Sequence, residues 1–235
     1  ALADLYRTQS RYSVAEPLLQ KALKIREKSL PPKHPDIAGS LNNLAELYRA
    51  QSKPALAIPL YQRALEIWED SLGDDHPDIA ALLNNLALTY ISQLQFVNAE
   101  PLLQRALAIL EKNFGTDHPD ITGAINNLAD LYHAKGEYNT AEALLKRSLA
   151  IREKAHGLQH TEVATALNNL AALYHAQGLH LPAEQLFGRA LAIFEKNLGL
   201  DHPKVAQCLN NLGLLYASQG QFPHCLLYTS DAADD

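Results

Sequence analysis

The sequence predicts an all-α solenoid, a stack of antiparallel helix pairs. Three observations predict it. The first is a fixed period: His34, His76, His118, His160 and His202 stand 42 residues apart, with no gap needed. Asparagine pairs keep the same step, at Asn42–Asn43, Asn84–Asn85, Asn126–Asn127, Asn168–Asn169 and Asn210–Asn211, and so do Tyr6, Tyr48, Tyr90, Tyr132, Tyr174 and Tyr216. The second is that each period holds two helical patterns of apolar residues. The third is a recurrence of small residues where two helices must approach closely, as at Ala45, Ala87, Ala129 and Ala171.

Within one period the elements follow in order. The first helix places Ala38, Leu41, Leu44, Ala45 and Tyr48 on one stripe, the i, i+3, i+4, i+7 spacing of an amphipathic helix. It opens on His-Pro-Asp, with Pro35 suited to the first turn and Asp36 to the positive end of the helix dipole. A short turn follows, glycine-bearing in later repeats at Gly136, Gly178 and Gly220. The second helix carries Ala57, Leu60, Ala64, Leu65 and Ile67, and Pro17, Pro59 and Pro101 fall in or near its first turn. Gly73, Gly115, Gly157 and Gly199 end it, and are expected to be left-handed caps. One hairpin of this kind cannot bury its apolar faces alone, so consecutive hairpins must stack.

Composition narrows the classes of function. The 235 residues are 47% hydrophobic and 20% charged, which excludes disorder, and the formal charge is −6 without any basic block, which disfavours a nucleic-acid partner. The longest apolar runs fall far short of the roughly 20 residues that span a bilayer, so no membrane partner is expected. Cys208 and Cys225 cannot build a disulfide framework, which makes a reducing, cytoplasmic setting the default.

The stretch from Leu128 to Leu149 follows L-A-x-L-Y-x-x-x-G-x-Y-x-x-A-x-x-L-x-x-A-L and resembles the tetratricopeptide repeat. The 42-residue form with HPD and NNLA is similar to the repeats of kinesin light chain and its bacterial relatives. The resemblance covers about residues 1–224. It implies a right-handed superhelix of about eleven helices, with a partial first repeat at 1–33, repeats starting near 34, 76, 118 and 160, and a partial last repeat at 202–224. Residues 225–235, CLLYTSDAADD, look like one reading frame of a sequencing-library adapter and are expected to be a non-native tail, the chain itself being an internal piece of a larger protein with flanking domains.

No nucleotide-binding, zinc-protease or nucleophile-elbow motif is present, so no enzymatic activity, cofactor or metal is expected. The recurring histidines come from separate repeats, and a helix-start role suits them better than metal ligation. Cys208 suits a buried, small apolar position. On a helical wheel Gly39, Asn42, Asn43, Glu46 and Ala50 point away from the apolar stripe, with Arg49 at the margin. The resemblance places first helices along an inner, concave wall, so the asparagines form a ladder in a groove. Asparagine disfavours a helix interior by roughly 0.7 kcal/mol against alanine, so ten of them call for an offsetting role.

Two roles compete. The amides tie adjacent first helices together, or they grip the backbone of an extended ligand, for which an amide carries both donor and acceptor. The first of each pair lies nearer the helix seam and suits the structural role. The second, at Asn43, Asn85, Asn127, Asn169 and Asn211, suits the ligand, as the resemblance also implies. Arg49, Leu88, Ile91, Asp130, His133 and His175 complete the expected peptide-binding set, with an apolar pocket around Leu88 and Ile91. The recurring basic residues Lys21, Arg63, Arg105, Arg147 and Arg189 are expected to form salt bridges between repeats on a solvated face. The expected function is a non-catalytic scaffold for proteins or peptides. A sensor array of a larger signalling ATPase or protease, and a self-association module, are the alternatives.

Overall fold

The computed structural model describes residues 11–220. The expected first helix of the first repeat, with Tyr6, and the tail at 225–235 with Cys225 lie outside them. Among the described residues the regular structure is all helical: α1 (Tyr12–Ser29), α2 (Pro35–Ala50), α3 (Pro54–Leu72), α4 (Pro77–Ile91), α5 (Phe96–Phe114), a 3₁₀ turn (Pro119–Ile121), α6 (Thr122–Ala134), α7 (Tyr138–His156), α8 (Thr161–Ala176), α9 (His180–Leu198) and α10 (Pro203–Ser218). The described residues form two compact units that divide between Thr116 and Asp117. In each, helices pack against their neighbours in sequence, as hairpins stacked on hairpins.

The helix starts explain the recurring histidine. In all five cases its side chain accepts a hydrogen bond from the backbone N–H two residues on: His34 Nδ1 from Asp36, His76 from Asp78, His118 from Asp120, His160 from Glu162 and His202 from Lys204, at 3.1–3.2 Å. Each satisfies one of the amides that a helix N-terminus leaves without an intrahelical partner, a role worth about 1 kcal/mol for a good capping residue.

The apolar stripe is buried as its spacing predicts: Ala38, Leu41, Leu44, Ala45 and Tyr48 are all in the core of the first unit, joined by Tyr61 and Ile67 of α3. The close-contact positions Ala57, Ala99, Ala141 and Ala183 are fully buried. In the second unit, Ala171, Ala183, Phe187, Leu212 and Tyr216 belong to one core cluster.

Two local expectations are corrected. Gly73, Gly115, Gly157 and Gly199 do end their helices, but with φ of 80 to 92° and ψ of 156 to 162°. That is the extended positive-φ region reserved for glycine, not the left-handed helical one, because the chain must leave directly into an extended path toward the next repeat. Pro17, Pro59 and Pro101 sit at the sixth helical residue, a turn deeper than expected. There each removes an intrahelical hydrogen bond, and each lies on the exposed side, where water can serve the freed carbonyl.

Three members of the basic series, Arg63, Arg105 and Arg189, form the expected inter-repeat ion pairs. Arg63 meets Glu27 at 2.6 Å, Arg105 meets Glu69, and Arg189 meets Glu153 at 2.9 Å. A parallel set joins Lys33 to Asp70, Lys112 to Asp75 and Lys154 to Asp117. All are substantially exposed, so each contributes at most about 1 kcal/mol.

Candidate binding face of the first helices

The asparagine pairs sit half-buried on the first helices, with Asn168 buried and Asn210 exposed. In the first unit Glu46 Oε1 accepts from Asn42 Nδ2 one turn earlier and from Asn85 Nδ2 on the next first helix, both at 3.2 Å. In the second unit Asn211 Nδ2 donates to Asn168 Oδ1 at 3.0 Å. Thus Asn85 and Asn211, from the series expected to meet a ligand, also tie neighbouring repeats together. Asn42 Oδ1 and Asn126 Oδ1 are buried without a hydrogen-bond partner.

The structure brings several of the expected site residues together. In the second unit Asp130 and His133 of α6 and Asn169 and Ala172 of α8 line one cleft of about 130 Å³. Asp130 keeps part of its surface exposed, but desolvation by the walls of this cleft pushes its carboxyl above its ordinary range, against the opposing pull of His133. A second, smaller cleft of about 80 Å³ is lined by Thr165, Asn168, Asn169, Lys204 and Gln207, beside the Phe194 ring. Asn169 borders both. His175 lies further along, its Nε2 at 3.3 Å from Ser218 Oγ and its ring 6.2 Å from that of His180.

In the first unit Arg49 and Leu88 share a cleft of about 300 Å³. Its other walls are Ser52, Pro54, Thr89 and Ser92, so the apolar pocket expected around Leu88 and Ile91 is a mixed, polar-edged one, and Ile91 is not in its wall. Asn43, Asn127 and Ile91 are half-buried on the same helical face as the rest of their series.

Larger hollows occur elsewhere in this unit, of about 560 Å³ beside Glu69, Asp75, Arg105 and Lys112, and about 430 Å³ beside Lys33, Arg63 and Asp70. Their charges are already matched within the fold, Arg105 to Glu69, Lys112 to Asp75 and Lys33 to Asp70, so they offer a ligand little unmet chemistry.

Among the described residues, no group of three or more His, Cys, Asp or Glu side chains is placed to hold a metal ion, and no helix is long and apolar enough to cross a membrane. Cys208 is fully buried, its thiol donating to Phe187 O at 3.5 Å, and burial pushes its pKa up to about 12. It is inert as a nucleophile at neutral pH.

One recurrent contact escaped the residue pattern. Tyr48, Tyr174 and Tyr216 each donate a hydroxyl hydrogen bond to a glutamate 32 residues earlier, on the preceding second helix: Glu16 at 3.2 Å, Glu142 at 2.9 Å and Glu184 at 2.9 Å. The signal was available, since Glu16, Glu100, Glu142 and Glu184 keep the period of the tyrosines. Lys204 was also missed, although it stands where the other four repeats carry Asp36, Asp78, Asp120 and Glu162.

Stacked helical hairpins with a polar, amide-bearing first-helix face define a helical-repeat scaffold. The tetratricopeptide repeat model matches residues 1–70, 36–112, 78–154, 120–196 and 162–224, and the chain belongs to that family. Among solved structures, the nearly identical repeats described as kinesin light chain from Podosopora anserina are 29% identical, with a TM-score of 0.74 over 84% of this chain and 93% of that one. BtubC (BKLC) from P. vanneervenii is 30% identical, with a TM-score of 0.74 over 86% of this chain and 80% of that one. A Rap protein complexed with Competence and Sporulation Factor, 15% identical with a TM-score of 0.66 over 97% of this chain and 71% of that one, shares the fold alone. No curated protein matches the chain.

Proposed function

We propose that this chain is a non-catalytic scaffold that holds an extended protein segment along the face of its first helices. Asn43, Asn85, Asn127, Asn169 and Asn211 supply amides to the ligand backbone, and Arg49, Leu88, Ile91, Asp130, His133 and His175 line the places for its side chains. The observation that carries this reading is the cleft in which Asp130, His133 and Asn169, from two successive repeats, converge. Membership of a family built for protein association supports it. The buried free thiol of Cys208 is in keeping with a reducing, cytoplasmic setting.

The test begins with a random 12-residue peptide library displayed on phage and selected on the whole chain. Calorimetry then compares a selected peptide on the wild type and on the Asn127→Ala/Asn169→Ala variant. The expected result is a loss of at least about tenfold, or 1.4 kcal/mol, with the melting temperature kept. Undiminished affinity for every selected peptide overturns the proposal.

A further inference from the structure

Two charges in the second unit stand where the fold itself disfavours them. Lys204 is the second residue of α10, in the first helical turn, where the helix dipole penalises a cation. Every other repeat places an acid there: Asp36, Asp78, Asp120 and Glu162. The Lys204 ammonium is held only loosely within the fold. Its Nζ lies 3.4 Å from Thr165 Oγ1, 3.9 Å from Glu162 Oε1 and 5.7 Å from the centre of the Phe194 ring. Asp130 is the counterpart. It stands at a position taken by Leu88, Ala172 and Leu214 in three repeats and by Glu46 in a fourth, where Asn42 and Asn85 donate to the carboxylate, and it lines a cleft that opposes its ionisation. Unfavourable charges persist where an interaction outside the fold offsets them.

The two charges flank one amide. Asn169 borders the Asp130 cleft on one side and the Lys204 cleft on the other. We propose, resting on the groove reading above, that the second unit recognises a segment carrying one basic and one acidic residue in a fixed order, the basic side chain at Asp130 and the acidic one at Lys204, with the intervening backbone on Asn169. The spacing follows from the fold. Adjacent packed helices lie about 8–10 Å apart. The part of α8 lining one cleft is offset from the part lining the other by about one helical turn, roughly 5 Å. The cleft centres are therefore about 10 Å apart, which an extended chain covers in three or four residues at about 3.3 Å each.

The charge order separates this from general attraction, because two peptides of one composition carry the same net charge. The probe is the phage-displayed library, restricted to binders that lose affinity on the Asn127→Ala/Asn169→Ala variant. The expected outcome is that these binders carry a Lys or Arg and an Asp or Glu three or four residues apart in a single N-to-C order. Exchanging the two residues in a synthetic copy should weaken binding about tenfold. Asp130→Asn should erase the preference for the basic residue and leave the acidic one, and Lys204→Gln should do the reverse. If exchanged peptides bind equally well while the asparagine variant still weakens both, the charge-order proposal falls and the groove stands. If no binder depends on the asparagines, both fall.

Discussion

At the scale of the residue, the close-contact series offers a sharp comparison. Ala64, Ala106 and Ala190 are fully buried on their second helices, and the repeat between them carries Ser148, equally buried, whose hydroxyl has no hydrogen-bond partner. A buried hydroxyl without a partner costs about 1–3 kcal/mol. Ser148→Ala is therefore expected to stabilise the chain by about 1 kcal/mol in urea denaturation, and a destabilised variant would show that the hydroxyl is served. The tyrosine clamp yields a pH prediction. Hydrogen bonds from Lys146 and then Tyr174 hold Glu142 below its ordinary value of 4.5. A carboxylate lowered in this way adds stability above its unfolded pKa, and that stability is lost as pH falls through the lower folded value. Tyr174→Phe should thus cost about 1 kcal/mol at pH 7 and progressively less below pH ~4, as read from urea midpoints at each pH.

At the scale of the element, the turn between the two helices of a hairpin requires positive φ. Gly136, Gly178 and Gly220 meet it at 77°, 74° and 70°, whereas Ser52 and Leu94 adopt 56° and 59° with a side chain attached. Leu94 is 77% exposed, so its side chain contributes little packing in return. Left-handed backbone costs an L-residue about 1–2 kcal/mol, and glycine gives back about 0.5–1 kcal/mol in unfolded-chain entropy. Leu94→Gly should therefore stabilise by about 0.5–1 kcal/mol, seen as a raised thermal midpoint, while Gly136→Leu should destabilise. Such turns also show what could be known beforehand. The 42-residue period and the stripe of Ala38, Leu41, Leu44 and Tyr48 were enough to place every described hairpin, because burial periodicity is written in residue type. The ψ of Gly73 was not, since glycine permits both positive-φ regions and only the exit path of the chain chooses between them. The face bearing Asn127, Asp130 and His133 was legible as the polar side of a wheel. The convergence of Asp130 with Asn169 was not, because it depends on how α6 and α8 pack rather than on either helix alone.

At the scale of the whole molecule, stability is expected to be a sum of hairpins and the contacts between successive ones. Within each unit a helix packs on its sequence neighbours, and among the described residues the hydrogen bonds and ion pairs that join repeats reach back one repeat, as Arg63 to Glu27 and Tyr216 to Glu184 do. A cavity cut into one hairpin should then be felt locally. Leu103 is fully buried in α5. Leu103→Ala should cost about 2–5 kcal/mol at that site. Native-state hydrogen exchange is expected to show lost protection in α4 and α5, a smaller loss in α3, and none in α8 and α9. A variant that loses protection evenly from α1 to α10 would mean that the chain opens as one cooperative body and that its repeats do not hold their stability separately. The same locality bears on binding: a ligand lying across α6, α8 and α10 should add protection to those helices and to α7 and α9 between them, leaving α1 to α3 as they are without it.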